Sequence, residues 1–149
     1  MSYLNVITLE RAKNFLRIDP TLTEDDVDIE TMIKASLAYC EKKTNIITFY
    51  RPKTYTGTTD VDVYDYPILQ IITDPEPFSC TYATFTRFPN ITSVTLGVGN
   101  TDLALIPDEL IECALQILKV WYYESEKQVN TTLIPESIKM ALDSLKRFL

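Results

Sequence analysis

All three glycines of this chain (Gly57, Gly97, Gly99), five of its eight prolines and twelve of its threonines fall between residues 46 and 105. Proline and glycine break helix interiors, and β-branched threonine favours extended backbone. The flanking segments are richer in Leu, Ala, Glu and Lys, residues that lose little on entering a helix. The chain therefore reads as helices, then strands and turns, then helices. The fold class this predicts is α+β, mainly helical. Four helices are expected, with a β-hairpin or small antiparallel sheet inserted between the second and third. A chain of 149 residues is about one domain long and can bury a core without disulfides or metal. We expect a single domain over residues 1–149, organised as 1–45 (helices one and two), 46–105 (the β-rich insertion) and 106–149 (helices three and four).

The helix boundaries follow from capping chemistry. Thr8 can cap free N–H groups, and Leu9, Ala12, Phe15 and Leu16 then share one face up to about Arg17, with Glu10, Arg11, Lys13 and Asn14 outside it. Asp19-Pro20 stops this helix. The second begins within Glu24–Asp28, where carboxylates suit the positive end of the helix dipole, and ends at Lys42-Lys43 with Asn45 as a left-handed cap. Ile106-Pro107-Asp108-Glu109 and Ile134-Pro135-Glu136 open the last two helices with the same proline-and-acid start. The third helix has an apolar stripe of Leu110, Ala114, Ile117, Leu118 and Trp121, widened by Ile111, Leu115 and Tyr122. A stripe that wide predicts a central helix covered on several sides. Between them, residues 46–51, 61–66, 68–73, 80–86 and 91–98 read as strands. The prolines that punctuate them place those strands at sheet edges or end them.

Charge and residue inventory exclude several functions. Fourteen Lys+Arg against twenty-one Asp+Glu give a net charge of −7, which opposes tight non-specific binding to nucleic acid. There is no histidine, so histidine general bases, Ser-His-Asp and Cys-His nucleophiles and His-ligated metals are excluded. Cys40, Cys80 and Cys113 lack a Cys-x-x-Cys spacing and read as free thiols. Met1–Asn5 shows no secretory pattern, and apolar runs stop short of a bilayer's span, so a soluble intracellular protein is expected. A calcium loop from Asp19 to Glu30 would need glycine where Glu24 stands. Leu96–Asn100 lacks the third glycine of a dinucleotide fingerprint and the Lys-Ser/Thr of a P-loop, and reads as a turn toward the third helix. Trp121-Tyr122-Tyr123 could stack bases, but on so apolar a helix it reads as core. No catalytic residue, metal site or cofactor is assigned.

A family resemblance emerges from residue order. Ile7-Thr8-Leu9-Glu10-Arg11-Ala12-Lys13-Asn14-Phe15-Leu16-Arg17-Ile18-Asp19 precedes an acidic stretch, and Ile29–Asn45 follows with Ala38-Tyr39-Cys40-Glu41-Lys42-Lys43-Thr44. A β-rich run, Ile106-Pro107, a long helix ending in Trp121-Tyr122-Tyr123-Glu124, and Ile134-Pro135 with a last helix complete the pattern. Over residues 7–45 and about 91–149 this resembles the head–tail connector (adaptor) proteins of tailed bacteriophages. The resemblance implies a structural, non-enzymatic protein of the virion. It would form a ring of its own copies, usually twelve-fold, beneath the portal protein at the head–tail junction, after assembly in the host cytoplasm. The ring would continue the channel through which genomic DNA passes without specific binding, and would offer a platform to the next tail or stopper protein. No membrane is involved. Other readings are a different virion joint (a stopper or tail-completion protein), a small binding or regulatory protein, and an enzyme working through carboxylates.

Within that reading two sets of residues are candidates. Asp25, Asp26 and Asp28, or Asp60, Asp62 and Asp65, would face the channel or its rim and repel the DNA backbone. The chain's final segment is its one net-basic end. Lys139, Lys146, Arg147, Phe148 and Leu149 there would contact the portal, combining outward cations with an apolar pair.

Overall fold

The computed structural model describes residues 1–126 and 134–146. Its architecture is α+β. In chain order come helices α1 (Tyr3–Val6), α2 (Leu9–Leu16) and α3 (Asp26–Thr44), then strands β1 (Arg51–Thr56), β2 (Val61–Val63), β3 (Ile68–Ile71), β4 (Cys80–Thr81), β5 (Thr86–Phe88) and β6 (Ser93–Val98). A short 3-10 turn (Leu103–Leu105) leads to α4 (Asp108–Glu126) and α5 (Glu136–Leu145).

The four long helices lie where capping chemistry predicts them. The Thr8 hydroxyl accepts from the Arg11 N–H at 3.2 Å. Arg17 (φ 60°) closes α2, and Asn45 (φ 61°) closes α3 in the left-handed region. The four-residue α1 was not expected. It folds Val6 and Ile7 under the helical core, which no periodicity in so short a segment reveals.

Helix α4 packs along α3 and also meets α5 and α2. Leu110, Ile111, Cys113, Ala114, Leu115, Ile117, Leu118 and Tyr122 are all buried on it, so its wide stripe does cover several sides. They join Ile29, Ile33, Leu37 and Cys40 of α3, Ala12 and Leu16 of α2, and Ile138 and Leu142 of α5 in one apolar cluster. No helix among the described residues is long and apolar enough to cross a membrane.

The insertion makes two three-stranded antiparallel sheets, ordered β1-β6-β3 and β2-β5-β4. Their inward residues Val61, Val63, Phe88, Val94, Leu96 and Val98, with Ile47, form a second apolar cluster. Strand positions shift from the sequence expectation at several points. Residues 46–50 are not a strand; Ile46 makes only an isolated bridge to Tyr66, and β1 starts at Arg51. Pro52 sits inside β1 rather than ending the run, which is tolerated because β1 is an edge. Residues 80–86 split into β4 and β5 around a tight turn in which the Tyr82 N–H donates to Phe85 O at 2.8 Å.

The two late glycines have different reasons. Gly97 lies within β6, not in a turn, and a Cβ there would stand 2.6 Å from the Tyr50 ring. Gly99 does turn the chain, with φ +99°, and a Cβ there would stand 2.1 Å from the Phe49 carbonyl oxygen. Replacing Gly99 by Ala is therefore expected to destabilise the fold by about 2 kcal/mol or more, as a lowered urea midpoint with an unchanged slope.

Candidate functional site

The most connected polar group is a buried carboxylate. Glu41 sits one turn after Leu37 on the inner side of α3 and is 5% exposed. One oxygen accepts from the Thr48 N–H (2.8 Å), the Thr48 hydroxyl (2.6 Å) and Arg51 Nη1 (3.2 Å). The other accepts from the Tyr3 hydroxyl (2.7 Å) and Arg51 Nη2 (2.6 Å). The Arg51 guanidinium also lies over the Phe49 ring, 4.6 Å from its centroid, and Phe49 meets Tyr3 edge-on. Burial and the bond to Glu41 push the Tyr3 hydroxyl up to about 12, so it stays a donor at neutral pH. This group ties α1, α3 and the start of β1 together. It was missed in the sequence, although a carboxylate four residues after a core leucine was a visible anomaly.

A second buried charge closes the loop between α2 and α3. Lys13 was expected outside the apolar face of α2, yet it is 4% exposed. Its ammonium pairs with Asp26 at 2.5 Å and donates to the Leu22 carbonyl at 2.5 Å. Asp19 accepts from the Thr21 N–H (2.9 Å) and hydroxyl (2.7 Å), which hold its carboxyl below the usual range. The interior of this acidic loop thus already holds a cation, supplied by the chain itself. Among the described residues no three His, Cys, Asp or Glu side chains converge on a metal position.

The six acids singled out by sequence fall into two classes. Asp26 pairs with Lys13, Asp62 with Arg87 through two bonds of 2.7 and 2.8 Å, and Asp65 with Lys53 at 2.6 Å. Asp65 also accepts from the Tyr55 hydroxyl at 2.8 Å, and burial together with that bond raises the Tyr55 pKa. Asp25 accepts from a neutral donor, the Tyr122 hydroxyl (2.8 Å), and Asp60 from the Asn90 N–H (2.9 Å). Asp28 is exposed in the first turn of α3. Asp25, Asp28 and Asp60 form no ion pair among the described residues, although Asp60 lies close enough to Arg87 to share its field with Asp62.

Beside the Asp62–Arg87 pair, Tyr64, Phe85 and Tyr82 form an exposed aromatic group. Tyr82 stacks on Phe85 with centroids 4.8 Å apart, and Arg87 lies over Phe85. A groove of about 580 Å³ separates the two sheets and is lined by Leu69, Gln70, Glu76, Thr81 and Phe88. Trp121 and Tyr123 pack against the helical core, and the Tyr123 hydroxyl donates to Leu16 O at 2.7 Å, so they offer no free stacking platform.

On α5, Lys139 is exposed and lies 3.6 Å from Glu136, while exposed Lys146 caps the helix end. Arg147, Phe148 and Leu149 lie outside the described residues. Leu142 is buried in the helical core, and Met140 beside it is exposed.

Two outcomes are expected from this geometry. Glu41→Ala leaves Arg51 half-buried without its partner and should cost about 3 kcal/mol in denaturant unfolding. The Arg87 bonds hold the Asp62 carboxyl below its ordinary 3.8. Because the folded value is the lower one, the stabilisation from this pair is present above the ordinary value and is lost as pH falls through the folded one. Carboxyl-carbon NMR titration should place the Asp62 midpoint below that of an unpaired aspartate, and Arg87→Gln should return it upward.

By sequence the chain matches no protein-family model and no curated protein. Its fold is matched by solved structures. A chain of the "Virion of native gene transfer agent (GTA) particle" superposes with a TM-score of 0.71 at 12% identity, over 100% of this chain and 93% of that one. A chain of the "Neck of empty GTA particle computed with C6 symmetry" gives 0.68 at 11% identity, over 97% and 91%.

Proposed function

We propose that this chain is a structural subunit of the head–tail connector of a phage-like particle, assembling as a ring beneath the portal and extending the DNA channel. The observation that carries the reading is the end-to-end match of fold to chains of a gene transfer agent virion and its neck. At such low identity this is a likeness of architecture. It agrees with a resemblance reached independently from residue order. The neck neighbour was solved with C6 symmetry, and a ring built from copies of this chain would be heterologous, two different surfaces of each subunit meeting. The copy number, expected near twelve, belongs to the proposal.

The residues present suit a scaffold. The buried charges Glu41 and Lys13 are consumed in joining segments of the fold. Within the acidic sets, Asp25 and Asp28 are the members best placed to repel a DNA backbone along a channel or rim, while Asp26, Asp62 and Asp65 are matched by cations and Asp60 shares the field of Arg87. We assign the portal contact to α5 and the residues that follow it, with Lys139, Lys146, Arg147, Phe148 and Leu149 as its members. The next tail or stopper protein would take the opposite side of the ring.

Mass spectrometry of purified particles tests the reading, with the chain expected at ring stoichiometry relative to the portal. Absence from particles would overturn it. Deleting residues 147–149 should leave thermal stability unchanged and abolish attachment to the portal. A large loss of stability in the isolated chain would instead make that segment part of the core.

A further inference from the structure

Among the described residues, no other element covers one face of α3. Val27, Thr31, Lys34, Ala35, Ala38 and Lys42 recur on it at three- and four-residue spacing, and all six are exposed. Val27 is 75% exposed. From Thr31 to Lys42 the exposed residues of this face include two lysines and no acid, while half-buried Glu30 borders it one turn before Lys34. Toward its C-terminal end Ala38 and Lys42 border a hollow of about 240 Å³, walled also by Tyr3, Arg51 and Lys53 and by the carboxylates Glu41 and Asp65. Arg51 is matched by Glu41 and Lys53 by Asp65. Lys34 and Lys42 form no ion pair among the described residues.

The opposite chemistry stands on the β3–β4 connection. Between β3 and β4, Ile72 and Phe78 are exposed, Phe78 at 73%, and they bracket exposed Asp74 and Glu76, neither in an ion pair among the described residues. This is a projecting aromatic with two free carboxylates beside it.

We infer that the β3–β4 connection of one copy docks on the α3 face of a second copy. Phe78 enters the hollow beside Ala38, and Asp74 and Glu76 meet Lys34 and Lys42. Charge complementarity selects the occupant. The acidic, apolar-tipped loop matches a basic face with small side chains at its centre, and both belong to the same chain. The contact is head-to-tail, since the loop and the helix face are different surfaces, so each copy offers one of each and the assembly can close into a ring. Phe78 supplies the apolar anchor, and the charge pairs set register and partner choice. This rests on the connector reading for its setting, but it is a property of the chain that can be measured separately.

The test uses the full chain in an equimolar mixture of nitrogen-14 and nitrogen-15 copies. A zero-length carbodiimide joins carboxylates to amines in contact, and mass spectrometry separates links between copies from links within one. Links from Asp74 or Glu76 to Lys34 or Lys42 of another copy are expected. The loop double variant, Asp74→Lys with Glu76→Lys, and the helix double variant, Lys34→Glu with Lys42→Glu, should each weaken self-association about tenfold or more. Phe78→Ser should weaken it by a similar factor. Mixing the two double variants should restore association, because each reversed surface then faces its complement. Recovery in the mixture also shows that neither variant failed by misfolding. Inter-copy links absent at the highest soluble concentration, links joining other residues, or no recovery on mixing would overturn the contact. If the chain is present in particles but its neighbours are linked elsewhere, this contact is wrong and the connector reading stands. If the links and the recovery appear but the chain is absent from particles, the connector reading is wrong and the contact stands.

Discussion

A carboxylate buried at the end of a helix is costly unless its lone pairs are used, and the two oxygens of Glu41 accept five hydrogen bonds between them. That requirement fixes where the β layer sits. Thr48 and Arg51 must come back to the last turn of α3, so the chain cannot leave Asn45 in any other direction. The Tyr3 hydroxyl, held above its ordinary range, brings the N-terminal helix to the same point. Three segments far apart in sequence thus share one charge. Around that joint, two apolar clusters form on either side, one helical and one within the sheets. The Tyr66 hydroxyl adds a second tie by donating to Leu145 O at 3.2 Å, linking the insertion to the last helix.

Where local chemistry decides an outcome, the sequence was legible. Thr8, Arg17 and Asn45 sit at the ends of α2 and α3 because caps act over a few bonds, and the wide stripe of α4 announced a helix with neighbours on several sides. Strand limits were less legible. Whether Ile46–Tyr50 pairs as a strand depends on which backbone groups Tyr66 and Asn100 present to it, and these lie far along the chain. The polar sites were legible only as composition. Counting acids in 25–28 and 60–65 could not tell that Lys13, Arg87 and Lys53 neutralise half of them. Lys13 lies off the apolar face of its own helix and is buried by a loop, a tertiary event that helical periodicity does not encode.

The similarity to gene transfer agent chains, at 11–12% identity over nearly the whole length, is consistent with how this fold is specified. Its helical core asks for apolar side chains of suitable volume at spaced positions, and many sequences satisfy that. The joint at Glu41 is stricter, since it needs an acceptor and matched donors at once. A relative lacking the carboxylate must fasten its sheets to its helices by other means. The two layers are therefore under different constraints, the helical one statistical and the junction specific.

The β-rich segment leaves and re-enters the helical layer at adjacent positions, with a second tie at Tyr66. Arg51 at the start of β1 stands opposite Val98 at the end of β6, and the Tyr50 N–H donates to Asn100 O just outside that pair. Between residues 51 and 98 the segment hangs from two adjacent strands whose ends are pinned side by side, and from Tyr66, whose N–H donates to Asn45 O and whose hydroxyl donates to Leu145 O. Lengthening or shortening the tips leaves the spacing of those ends unchanged, and the entropy of closing a longer loop grows only slowly with its length. The segment behaves as a cassette. A lineage could exchange its outer hairpins for larger or smaller ones, acquiring new contacts at the periphery, while the stem that joins it to the helices kept the same two-strand footprint.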